Sequence, residues 1–132
     1  MSFEFVTDVF PEYVRLTATG KYTFEGLLEF IESIKQESDR TERTNVLVDC
    51  LQVEGHMNEG ERFRGGQRIA EVFGYRIKAA VLMQAERTTR LGELAAVNRG
   101  AKFLVTDSEA DALDWLVRPD GTSNLNAKSH VP

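Results

Sequence analysis

Cysteine, proline, histidine and clustered base are all scarce in this chain, and each scarcity removes a class of protein. Cys50 is the only cysteine, so no intrachain disulfide can form and a reducing compartment is the natural setting. The 3 prolines stand at Pro11, Pro119 and Pro132, leaving the stretch between the first two free to run through helices and strands. No apolar run approaches the roughly 20 residues that span a bilayer. Met1-Ser2-Phe3-Glu4-Phe5 has neither a basic n-region nor an apolar h-region, so a cytoplasmic location is expected. The 16 bases are outnumbered by 21 acids, giving a net charge of −5. They also alternate with acids, as in Glu61-Arg62-Phe63-Arg64, which excludes a nucleic-acid backbone as the main partner.

What remains is an ordinary soluble composition over 132 residues, enough for one domain around one core. The pattern assigns residues 1–118 to that domain. From Pro119-Asp120-Gly121-Thr122-Ser123-Asn124 onward the chain turns polar, and residues 119–132 are expected to form a mobile tail.

Phe3–Val9 and Tyr13–Thr19 each alternate polar and apolar residues, and the short Phe10-Pro11-Glu12 join suits an antiparallel hairpin at a sheet edge. Thr23 offers an N-cap oxygen, with Tyr22 and Leu27 at staple positions. Phe24, Leu27, Leu28, Ile31 and Ile34 then recur at helical spacing as one buried stripe. The charged and hydroxylic run Gln36–Thr44 reads as an exposed connection. It leads into Val46–Cys50, an apolar run that ends in an acid and reads as a buried parallel strand.

A second helix is expected from about Glu59 to Phe73, with Phe63, Gly66, Ile69, Ala70 and Phe73 inward and Glu61, Arg64, Arg68 and Glu71 outward. Gly65-Gly66 is uncomfortable there, since each helical glycine costs about 1 kcal/mol against alanine. Close approach to another backbone, or irregular first turns, would explain the pair. Gly74 is placed to stop the helix. Ile77–Met83 reads as a strand covered on both faces. A third helix begins at Thr88 or Thr89 and ends at Gly100, with Leu91, Leu94, Ala95 and Asn98 on one face. Lys102–Thr106 is a last strand, and Ser108 caps a fourth helix with Ala112, Trp115 and Leu116 on its packing side. The order β-β-α-β-α-β-α-β-α, with right-handed crossovers, predicts a mainly parallel five-stranded α/β sheet with an N-terminal antiparallel hairpin and four helices.

In such sheets ligands and partners gather at the carboxyl ends of the strands. That edge collects Glu54, His56, Met57, Asn58, Glu59, Glu86 and Arg87 as candidate binding residues. No catalytic set is complete. Zinc wants three or four clustered ligands, and only Cys50, Glu54, Glu59 and the distant His130 could join His56. Cys50 and His56 match no thiol-hydrolase spacing. Gly55, Gly60, Gly65 and Gly66 form neither a dinucleotide nor a P-loop motif. No cofactor and no metal are expected.

Three stretches resemble a known family. They are Val46-Leu47-Val48-Asp49, Asn98-Arg99-Gly100, and Glu109-Ala110-Asp111-Ala112-Leu113-Asp114-Trp115-Leu116. Together, over about Phe3 to Val117, they look like the bacterial SpoIIAA-like, or STAS/SEC14-like, proteins. The resemblance implies the SpoIIAA-like fold. In anti-sigma-factor antagonists of that fold, a serine at the start of the helix after this strand is phosphorylated and switches partner binding by added charge. The matching stretch here, Met57-Asn58-Glu59-Gly60, carries no hydroxyl, and only Glu59 could supply a standing negative charge. The resemblance therefore implies a non-catalytic module that binds a protein partner. The alternative it implies, through SEC14-type domains, is a carrier or sensor of a small apolar or lipid-like ligand.

Overall fold

The computed structural model describes residues 3–84, 97 and 99–118. Strands β1 (Phe3–Val9) and β2 (Val14–Lys21) form the expected hairpin, closed by the Phe10 N–H donating to Tyr13 O over 2.9 Å. Then come α1 (Phe24–Thr41), β3 (Asn45–Glu54), α2 (Glu59–Phe73), β4 (Lys78–Leu82), β5 (Lys102–Thr106) and a last helix, α3 (Glu109–Val117). The sheet runs in chain order β1-β2-β3-β4-β5. Its first pair is antiparallel and the other three are parallel. The third helix expected before Gly100 lies outside the described residues, apart from a helical Val97 and the turn at Arg99–Gly100. So do Glu86, Arg87 and the tail.

The pleat sorts the strands into two cores. Val14, Leu16, Ala18, Val46, Val48, Ala79 and Phe103 face α1 and α2 with Phe30, Ile31, Ile34 and Phe73. Leu47, Ala80 and Leu82 face the other way, against Ala112 and Leu116 of α3. Leu47 is wholly buried at the centre of β3, and a leucine so placed contributes about 1.5–3 kcal/mol. Beyond α3 the sheet is open at its β1 end, where Val6 is 64% exposed.

Four sequence readings need correction. The run Gln36–Thr44 is not a loop, because α1 continues to Thr41. Its apolar stripe passes from Ile34 to a buried Ser38, whose hydroxyl donates to Arg43 O over 2.5 Å. Lys35–Asp39 and Arg40–Glu37 pairs line the outer face of that last stretch. Strand β3 does not stop at Cys50; Gln52, Val53 and Glu54 pair with Thr19, Gly20 and Lys21 beyond a register shift in β2. Phe63 does not face inward. It is 39% exposed, with the Arg99 guanidinium 5.6 Å from its ring centre. Strand β4, between β3 and β5, is shorter than its apolar run and admits Lys78, which is buried. The Lys78 ammonium donates to Arg118 O over 2.8 Å and lies 4.8 Å from the Trp115 ring centre, so its charge is accommodated by a carbonyl and an aromatic face.

Gly65 is explained by packing. Helix α2 is uninterrupted, both glycines are buried, and a Cβ on Gly65 would stand 3.0 Å from Leu27 Cδ2 of α1. The crowding neighbour is thus a side chain rather than another backbone.

Candidate functional site

The parallel strands β2, β3, β4 and β5 deliver Lys21, Glu54, Leu82 and Thr106 to one edge of the sheet. The segment that leaves β3 there is built rigidly. The Tyr22 N–H donates to Glu54 O over 2.7 Å, tying the β2 exit to the end of β3. Gly55 turns the chain at φ 103°, in the region that favours glycine. Asn58 then caps α2 reciprocally: its Oδ1 accepts from the Glu61 N–H at 2.8 Å, while Glu61 Oε1 accepts from the Asn58 N–H at 3.2 Å. The Tyr22 hydroxyl donates to the same Glu61 oxygen over 3.1 Å. Burial, with Glu61 beside it, holds the Tyr22 phenol well above its usual range.

Behind this segment lies an apolar cavity of about 120 Å³. Helix α1 contributes Leu27, Phe30, Ile31 and Ile34; α2 contributes Gly65, Gly66, Ile69 and Phe73; the sheet contributes Val48, Cys50, Ala79, Val81, Phe103 and Val105. A smaller cavity of about 50 Å³ shares Leu27, Phe30, Cys50, Met57, Arg62 and Met83 with it and adds Tyr22, Val53, Gly55 and His56. The six shared residues make the two cavities neighbours, the smaller lying toward the strand-end edge.

The candidate residues divide accordingly. His56 and Met57 come together at the cavity's outer end. Glu54, Asn58 and Glu59 are exposed beside it and line neither cavity. Glu59 is the first residue of α2, where its charge complements the helix dipole. Sequence reasoning assigned Ile69 and Phe73 to the core and missed Cys50, Arg62 and Met83 as cavity residues. The glycine doublet was the signal available, since it removes side-chain volume opposite the sheet.

The Cys50 thiol is a poor nucleophile. Burial, and then the negative charge of Asp49, push it up to about 12, leaving almost no thiolate at neutral pH. Asp49 points to the opposite face of the sheet. Its Oδ2 accepts from Arg15 Nη2 at 2.6 Å and its Oδ1 from the Leu51 N–H at 3.0 Å, and Arg15 also reaches Glu109 on α3 at 3.2 Å. The acid that ends the apolar run therefore anchors α3's start to the sheet rather than a reaction centre. Among the described residues no three His, Cys, Asp or Glu side chains are grouped to hold a metal ion. No described helix is long and apolar enough to cross a membrane.

No family model matches the sequence, and no curated protein matches it. Solved structures do. An anti-sigma factor antagonist from Mycobacterium paratuberculosis superposes with a TM-score of 0.59 at 15% identity, over 87% of this chain and 94% of that one. An uncharacterised protein of the DUF3478 family, with a SpoIIAA-like fold, from Shewanella loihica superposes with a TM-score of 0.54 at 20% identity, over 87% and 93%. The five-stranded mixed sheet, its antiparallel first pair and its two helix-covered faces are thus those of the SpoIIAA-like fold, and this chain has that fold.

Proposed function

We propose that the chain is a non-catalytic regulatory module that meets a protein partner through Glu54–Glu59 and the start of α2. The observation that supports this reading is an exposed loop held rigid from within, by the Asn58–Glu61 capping box and the Tyr22–Glu61 hydrogen bond. A surface fixed in advance loses little entropy on docking. The similar fold of an anti-sigma factor antagonist supports a protein as the partner. Control cannot run through a phosphoserine in Met57-Asn58-Glu59-Gly60, which has no hydroxyl to modify. Immobilised protein and a Glu54→Lys/His56→Ala/Glu59→Lys variant, exposed to the same lysate, test the surface. The variant is expected to lose the species retained by the unaltered protein; equal recovery by both rules the edge out.

A second reading, a carrier or sensor of a small apolar ligand, is supported by the cavity beneath that edge. Native mass spectrometry of freshly purified protein tests it. A retained small-molecule mass supports the reading, and bare protein in independent preparations counts against it.

A further inference from the structure

The larger cavity has a shape, a lining and an outlet that together define what could occupy it. α1, α2 and the sheet line it, and Arg62 is the only charged residue in its lining among the described residues. The Arg62 Nε donates to Met57 O over 3.3 Å, at the outer end of the space. A polar guest would lose its hydration there without recovering hydrogen bonds. At about 120 Å³ the space is close to that of an engineered apolar cavity of about 150 Å³ that stays dry and takes up benzene. A long acyl chain needs several-fold more room.

Two features separate this space from a chance packing defect. The helix wall opposite the sheet includes adjacent glycines, Gly65 and Gly66. Such a doublet weakens a helix; Gly65 lets α2 close on Leu27 of α1, and neither glycine adds a side chain to the lining. The outer end is formed by Met57 and Met83, unbranched side chains that adapt to a passing guest. The smaller cavity, sharing both methionines, continues the path to His56 at the strand-end edge.

We infer that the cavity between α1, α2 and the sheet is a binding site for one small hydrocarbon-like molecule, of single-ring size or the equivalent short aliphatic chain, entering beside Met57 and Met83. The inference rests on the carrier reading and narrows it, since it excludes a full-length lipid as the occupant. It is independent of the protein-partner reading.

Cys50 lines both cavities and is the only cysteine, so its rate of modification reports occupancy. The protein is reacted with a large excess of a thiol reagent at about pH 9, where the raised Cys50 thiol supplies more thiolate, in the presence of benzene, toluene or oleate, and Tm is followed in parallel. Benzene and toluene are expected to raise Tm and to slow the Cys50 reaction roughly tenfold at about ten times their Kd. Oleate is expected to do neither. Val81→Phe fills the cavity and is expected to abolish both effects of benzene; Val81→Leu, a milder change, is expected to weaken them if the larger side chain impairs folding. Protection by oleate but not by the small rings would overturn the size class while leaving a carrier intact. No protection by any probe, with a higher Tm in Val81→Leu, would overturn the site and the carrier reading together, leaving a packing void.

Discussion

Asp49 is 6% exposed and carries two hydrogen bonds with different jobs, one to the Arg15 guanidinium and one to the Leu51 N–H. Asp49→Ala is expected to destabilise the fold by about 2–3 kcal/mol, because it leaves Arg15 with the exposed Glu109 and a long contact to Thr17, and Leu51 without its acceptor. Asp49→Asn should cost less, since an amide oxygen can still accept from Leu51. Urea unfolding of the two variants measures the difference. Cys50 gives a prediction in pH. Its thiol is pushed up to about 12 in the folded chain, against about 8.5 when unfolded. Above that lower value the unfolded state releases a proton the folded state keeps, so stability must fall as pH rises from about 9 to 12. The raised Tyr22 phenol acts in the same direction from about pH 10 upward. Unfolding midpoints measured from pH 8 to 11 should decline, and Cys50→Ala should make the decline shallower.

At the scale of elements, α2 shows how a working loop is held. Asn58→Ala removes the acceptor for the Glu61 N–H and is expected to cost about 1 kcal/mol, while Asn58→Asp should be tolerated because it keeps the acceptor and adds charge favourable to the dipole. Thermal unfolding of both variants decides it. The C-terminal end of α2 and the bounds of β5 were legible, since Gly74 and a short apolar strand are local signals. The end of α1 was not. Its last turns carry Gln36, Glu37, Asp39 and Arg40, and what makes them helical is one buried Ser38 together with i,i+3 and i,i+4 pairs. Composition reads such a surface as loop. The extension of β3 to Glu54 was hidden for a related reason: its partner is the end of β2 across a register shift, a long-range pairing that no local alternation announces. Gly65→Ala tests the packing account of the doublet. The gain in helix propensity should be largely cancelled by the clash with Leu27, leaving stability nearly unchanged, whereas an exposed helical glycine would gain the full amount.

At the scale of the whole molecule, the mainly parallel five-stranded sheet with its antiparallel first pair followed from the alternation of elements, and the strand-end edge followed from the parallel sheet. The cavity did not, because its walls are Ile69, Phe73, Ala79 and Phe103, residues whose spacing reads as core whether or not they close on one another. What unites these observations is a division of the sheet into two ends. At one end α1 stops at Thr41, capped by Glu42, and β3 begins at Asn45; at the other, a rigid loop stands over an apolar space. The most direct measurement is in-cell photo-crosslinking from a benzophenone side chain placed at position 56 and, separately, at position 42, the opposite end of the sheet. A discrete protein adduct from position 56 and none from position 42 is the result expected. Adducts from position 42 with none from position 56 would contradict the strand-end edge as the surface that binds.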